Sequence, residues 1–495
     1  MSEINGAADQ RLDVVVIGAG MAGILAAIRL RERGDNVLVL EKADSIGGTW
    51  RDNRYAGLTC DVPAHAYTYS FAPNAEWSRY FAPGSEIRDY FEGVVDRHGI
   101  RDLIHLGREV SEARWDDGGW TVVTTSGETY QADAIIAATG VLHHPRFPEI
   151  AGLESFEGDC FHSAQWPDGV DLTGKRVAVV GNGSTGVQIV TALAGVAAHV
   201  DHFQRSPQWI MPVRDFAYTD EERDRFRADV SAIDAIRFDP EYVGNVRRFN
   251  NAIIDPQSEA MGYIEAIVRD NLEASVADPV LREKLRPDYR AACKRLIYSS
   301  SYYEKAQRPD VEIVRDAIQK IEPGGIRTQD GVLHEVDVLI LATGFHADRF
   351  VRPAEIIGRD GVSLNTVWDR RPTAFKAISI PEFPNFFMLN GPTGPVGNFS
   401  LIEIAEAQWG YVDQLLDTIR QGHAVSVSLE AMADYEVRRI AAAKTTIFAS
   451  GCSSWYLDAE GVPQSWPWSY DQFFEEMRGP DMAAYDVRAQ TEVMS

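Results

Sequence analysis

An α/β fold is predicted for this 495-residue chain from three observations. First, a β-branched run, a GxGxxG loop and an apolar helical pattern occur twice, at Asp13–Gly23 and Arg176–Gly186. Second, strand-like segments at Thr121–Thr125, Ala134–Thr139 and Val336–Thr343 accompany them, and the last two end in Ala-Thr-Gly, at 138–140 and 342–344. Third, a charged stretch from about Thr219 to Arg286 has few strand signals and reads as a helical insertion. Together they describe two Rossmann-like dinucleotide-binding domains with a helical insertion. The boundaries are 1–145 with 381–495 for the first domain and 150–215 with 291–345 for the second. The insertion spans 216–290, and 346–380 is a linker or return segment. An amphipathic helix near Ser400–Ile419 is expected to fold back on the first unit.

Each loop has a physical logic. The first glycine makes the tight turn, the second lets a pyrophosphate approach the backbone, and the third allows helix to pack on strand. The helix N-terminus then faces the phosphate charge. Gly18, Gly20 and Gly23 fill these roles in the first unit; Gly181, Gly183 and Gly186 fill them in the second. The next strand separates the two. Val37–Leu40 ends at Glu41, 23 positions after Gly18, where a carboxylate accepts hydrogen bonds from ribose hydroxyls. The same offset from Gly181 falls on Gln204, followed by Arg205 and Ser206, a pair suited to a 2′-phosphate. The first loop therefore suits FAD and the second NADPH. Gly47, Gly48, Thr49 and Trp50 follow closely and place backbone and an indole where a flavin would lie.

Composition narrows the function. A net charge of −25 repels phosphate backbones and anionic lipid, so nucleic acid and membrane surfaces are excluded as partners. Cys60, Cys160, Cys293 and Cys452 lie far apart with no CxxC, which argues against a zinc site, an iron–sulfur cluster or a dithiol redox centre, and no metal is expected. That usage fits a reducing cytosol. Met1–Asp13 lacks a signal-peptide pattern, and the apolar run Val14–Ile28 is too short and glycine-rich to span a bilayer, so a cytoplasmic protein is expected.

Just before the second loop stand Phe156, Gly158, His162, Trp166 and Pro167, in the spacing FxGxxxHxxxWP. On these residues the chain resembles the Baeyer–Villiger monooxygenases, a family of class B flavoprotein monooxygenases. A second family pattern is matched by Gly47, Gly48, Trp50, Tyr55, Gly57 and Asp61, with Ala56 where the family usually has proline. A third match is Cys293-Lys294-Arg295 with Tyr302-Tyr303 and Arg308–Val311. The resemblance implies that Lys294 joins Arg205 and Ser206 at the NADP 2′-phosphate and that Arg295 reaches over the flavin. It further implies that Asp61 pairs with Arg295, that Trp455 in Ser454-Trp455-Tyr456 closes on NADP, and that Asn390 meets the flavin ring. Lys42, Tyr67, Val110, Thr139, Gly140, Ser184, Thr185 and Gln188 complete the implied cofactor contacts. His162 reads either as a hinge coupling NADP position to domain movement or as a structural histidine.

The implied reaction inserts one atom of dioxygen next to a ketone carbonyl to give an ester or lactone. It runs through a flavin C4a-peroxide kept ionised by Arg295 and shielded by bound NADP⁺. The substrate is a small ketone with dioxygen, of unspecified identity. An N- or S-oxygenating flavin monooxygenase is the alternative. A disulfide reductase of the same architecture lacks support without a CxxC, and a non-catalytic flavin redox sensor stands third.

Overall fold

The computed structural model describes residues 11–490 other than Val396 and Asn398. The first ten residues of the polar N-terminal stretch lie outside that range. Two parallel-centred sheets organise the chain. In the first, strands run in the order Glu355–Ile357, Val110–Asp116, Gly119–Thr124, Thr129–Ala137, Leu12–Ile17, Val37–Leu40 and Ile104–His105. Leu12–Ile17 pairs in parallel with both neighbours, Val14 lying opposite Val37 and Ala134. Helices or loops cover both faces, so the central strand is a continuous apolar run rather than an alternating one: Val14, Val15 and Val16 are all buried.

The predicted fold-back of the C-terminal segment is observed. Phe386–Met388 adds in parallel beside Thr129–Ala137. The helix Leu401–Arg420 sets Ile404, Tyr411 and Leu415 into the same core as Ile24 and Leu25 of the helix Met21–Arg33. Trp120 donates its indole N–H to the Pro384 carbonyl at 2.8 Å. Segment 346–380, read as a linker, carries the edge strand Glu355–Ile357 of the first sheet and the buried Trp368.

The second sheet is wholly parallel, in the order Val311–Val314, His199–Phe203, Arg176–Val180, Val338–Leu341 and Asp159–His162. The expected helical insertion is five helices between Asp220 and Lys284. Their starts are written locally. Thr219 and Glu222 form a capping box, while Asp239 before Pro240 and Asp278 before Pro279 cap two others.

The two loops share one steric requirement. A Cβ on Gly23 would lie 1.8 Å from the Gly18 carbonyl oxygen, and one on Gly186 would lie 1.9 Å from that of Gly181. Helix and strand touch there backbone to backbone, which only glycine permits.

The four cysteines, far apart in sequence with no CxxC among them, give no sign of a pairing. Cys293 and Cys452 form a disulfide, with Cα atoms 6.1 Å apart although 159 residues separate them in sequence. Motif spacing sees only local pairs; this one is created by the packing of the C-terminal loop. No described helix is long and apolar enough to cross a membrane.

Asn385 stitches the return strand in place. Its side-chain amide donates to the Asp133 carbonyl at 2.9 Å and its oxygen accepts from the Val425 N–H at 2.8 Å, with the residue fully buried. Asn385→Ala leaves both backbone groups unpaired. Urea unfolding should register a loss of about 2–3 kcal/mol, and an unshifted midpoint would contradict this role.

Candidate active site

A cavity of about 2050 Å³ opens where the C-terminal ends of the two sheets face each other. It is lined by Gly18, Gly20, Glu41, Lys42, Gly48, Thr49, Trp50, Asp61, Tyr67, Val110, Thr139, Gly140 and Asn390 from the first unit. From the second come Gly181, Gly183, Ser184, Thr185, Gln188, Arg205, Ser206, Lys294 and Arg295, with Trp455 from the C-terminal loop. Gly23 and Gly186 do not line it; they pack helix on strand. The Phe156, Gly158, His162, Trp166 and Pro167 group does not line it either.

Glu41 is buried, and its carboxylate accepts from the Ala19 N–H at 2.7 Å and the Ala43 N–H at 3.0 Å. Arg51 donates to it at 3.0 Å. The acid thus holds the glycine loop in shape and is itself held by a guanidinium. Two polar atoms on this side, Thr139 Oγ1 and Asn390 Oδ1, are buried without a hydrogen-bond partner. Unpaired buried acceptors and donors are costly, and these two belong to residues lining a cavity of dinucleotide dimensions. Trp50 donates its indole N–H to the Tyr67 hydroxyl at 3.1 Å, fixing both rings in the wall. The donor set therefore fits a flavin dinucleotide.

On the second unit, Gln204 is turned inward, donating to Tyr302 Oη at 2.6 Å and accepting from Asn182 Nδ2 at 3.2 Å. Arg205 is exposed beside it, and Lys294 donates to Ser206 Oγ at 3.0 Å with its ammonium 4.3 Å from the centre of the Tyr289 ring. Burial lowers the Lys294 pKa, repulsion by Arg205 adds to this, and Asp288 offsets part of it. Two cations and a hydroxyl held together in this way favour an anion.

Arg295 and Asp61 form an ion pair across the two units, both side chains part-buried. Burial works against the guanidinium's charge, but Asp61 and the Tyr456 phenol more than compensate, and its pKa is raised. The pair stands close to Gly397, where a Cβ would lie 3.2 Å from Arg295 Nη1 and would collide with Tyr456 Oη. Tyr55 reinforces the junction: its hydroxyl donates to Gln188 Oε1 at 2.8 Å and accepts from Thr185 Oγ1 at 3.4 Å. Burial first, eased by Thr185 and reinforced by Asp61, pushes the Tyr55 phenol up to about 12.

The fingerprint segment folds as the edge strand Asp159–His162 against Val338–Leu341. His162 is fully buried, with Nε2 3.1 Å from the Gly344 carbonyl oxygen and Nδ1 accepting from the Ala164 N–H at 3.1 Å. Burial lowers its pKa, outweighing the Gly344 hydrogen bond. The neutral ring ties the strand end to the second Ala-Thr-Gly turn.

Sequence reasoning missed Tyr298, which lines the cavity, and Tyr456, which sits behind Arg295. No spacing rule selects either; only the adjacency of Tyr456 to Trp455 hinted at it. Aromatic residues of the insertion, Tyr242 and Phe249, also reach the cavity.

A family model described as Pyridine nucleotide-disulphide oxidoreductase matches residues 15–227. The chain is 44% identical over 478 residues to an uncharacterized monooxygenase of Mycobacterium tuberculosis, covering 96% of each. It is 37% identical to a Baeyer–Villiger monooxygenase of Streptomyces coelicolor, covering 97% of this chain and 93% of that one. The crystal structure of cyclohexanone monooxygenase from Rhodococcus sp. Phi1 bound to NADP⁺ superposes with a TM-score of 0.84 at 32% identity, over 97% of this chain and 99% of the other. With two dinucleotide loops facing one cavity and this identity along nearly the whole chain, the protein belongs to the Baeyer–Villiger monooxygenase family of flavin-dependent monooxygenases.

Proposed function

We propose that this chain uses FAD and NADPH to insert one atom of dioxygen beside the carbonyl of a small ketone, giving an ester or lactone. The observation that carries the reading is the Arg295–Asp61 pair lining the cavity on which both glycine loops converge. When bound, FAD supplies the two-electron chemistry, accepting hydride from NADPH and activating dioxygen.

The first-unit residues hold FAD in this reading. Gly18 and Gly20 admit its pyrophosphate, Glu41 takes the ribose, and Thr139 and Asn390 offer their unpartnered polar atoms. Gly181 and Gly183 admit the pyrophosphate of NADPH, while Arg205, Ser206 and Lys294 clamp its 2′-phosphate. A phosphate dianion there offsets the mutual repulsion of Arg205 and Lys294.

Arg295 does the electrostatic work. Its fixed charge favours the ionised form of an oxygen acid beside it and stabilises the alkoxide that forms as a carbonyl carbon is attacked. Asp61 fixes the guanidinium's direction through Nη2, and Tyr456 backs it. Tyr242 and Phe249 line the space, and water displaced from it strengthens each interaction inside. A small apolar ketone fits this aromatic lining, and dioxygen needs no site of its own.

Mass spectrometry of a ketone panel incubated with NADPH tests the reaction: products heavier by one oxygen are expected. Sulfoxides or N-oxides alone would move the assignment to heteroatom oxygenation. Arg295→Ala should retain FAD and its reduction by NADPH yet lose ester formation by about 10²-fold or more; undiminished ester formation would remove Arg295 from the chemistry. Arg205→Ala should raise KM for NADPH roughly 10- to 100-fold while sparing KM for NADH. Equal rises in the two constants would mean that Arg205 does not read the 2′-phosphate.

A further inference from the structure

We infer that Cys293 and Cys452 are a reversible redox site governing closure of the NADP side of the cavity. As a disulfide they staple the Trp455 loop to the segment bearing Lys294 and Arg295; as a dithiol they release it. The inference rests on the cofactor roles proposed above for Lys294 and Trp455.

The geometry is specific. Cys293 immediately precedes Lys294 and Arg295, and Cys452 stands three residues before Trp455. Their bond joins the segment just after the helical insertion to the C-terminal loop, so one covalent link connects the residues proposed to grip the 2′-phosphate to an indole that lines the cavity. Trp455 itself is 47% exposed and, among the described residues, stacks on Tyr456 alone, at 4.2 Å between ring centres. Around the disulfide the chain is open: Gly451 and Ser453 are exposed, and Ser450 reaches across to Cys293 Sγ with its hydroxyl at 3.1 Å. Cutting the link leaves residues 450–455 held at one end by the buried Tyr456, which stacks on Phe448 at 4.4 Å between ring centres, while the stretch carrying Gly451, Ser453 and Trp455 stays exposed.

The two sulfurs are unequal. Cys293 is buried at 1% exposure while Cys452 is part-exposed. A dithiol reductant reaches Cys452: its thiolate bonds to Cys452 Sγ, the S–S bond breaks, and the electron pair leaves on Cys293 Sγ, to which the Ser450 hydroxyl donates. The reductant's second thiol then displaces Cys452 and closes the reductant's own disulfide. In the reverse direction hydrogen peroxide oxidises the two thiols, forming the disulfide and two waters. Dioxygen reduced by NADPH without oxygen transfer leaves as hydrogen peroxide, so unproductive turnover supplies the oxidant that closes the loop and suppresses further leakage. The other two cysteines do not compete, since burial raises the Cys60 thiol pKa and Cys160 lies away on the edge strand.

The test uses FAD-loaded enzyme without ketone, so that it reads even if the ketone chemistry fails. Alkylation and mass spectrometry count free thiols before reduction, after dithiothreitol and after one equivalent of hydrogen peroxide. The expected result is two protected cysteines in the oxidised protein. Reduction should raise KM for NADPH roughly 2- to 10-fold and increase hydrogen peroxide release per NADPH, with FAD content constant. Peroxide should restore both. Cys452→Ser should resemble the reduced enzyme and ignore dithiothreitol, while Cys160→Ser should follow the parent protein. If the crosslink forms and breaks with KM and peroxide release unchanged, or if peroxide never forms it, the inference fails.

Discussion

The cavity depends on an ion pair between residues far apart in sequence. Asp61 belongs to the unit that carries the first glycine loop and Arg295 to the unit that carries the second, with 234 positions between them. A guanidinium lining an aromatic cavity carries a large desolvation cost unless a carboxylate faces it. Here the carboxylate comes from the opposite unit, so the two nucleotide loops must meet for the charge to be tolerated. The Tyr55–Gln188 and Gln188–Thr59 hydrogen bonds reinforce the same junction. Charge placement and domain arrangement are one constraint.

The glycine loops show why much of this fold was legible. Each needs a tight turn and backbone contact between helix and strand, and only glycine at fixed offsets supplies both, so the pattern survives in any sequence that keeps the geometry. Glu41 and Arg205 were singled out for a related reason, since they sit one strand beyond the loop at a distance set by the βαβ unit, and both line the cavity. The insertion was legible as a charged stretch with few strand signals, and three of its five helices begin at the capping residues Thr219, Asp239 and Asp278.

What was not legible depends on packing between distant segments. Nothing local marks Tyr456 as the residue behind Arg295, because the contact exists only once the C-terminal loop has folded over residues 291–298. The Cys293–Cys452 bridge was invisible for the same reason. Segment 346–380 read as a connection because its strand has only three residues, too few for an alternating pattern to emerge. The fingerprint residues were legible as a motif, and the structure sets them on an edge strand anchored by His162 to Gly344, outside the cavity lining.

The nesting of one sheet within the other has a consequence for biosynthesis. All five strands of the inner sheet have emerged once Leu341 is made, whereas the outer sheet still lacks Glu355–Ile357 and Phe386–Met388. A chain leaving the ribosome can finish its interior unit while the exterior one stays open at a central seam, with Asn390 still to come. The cavity lining of the first unit is complete only once Asn390 has been made, and a truncated translation product would expose the apolar flank of Ile135 and Ile136.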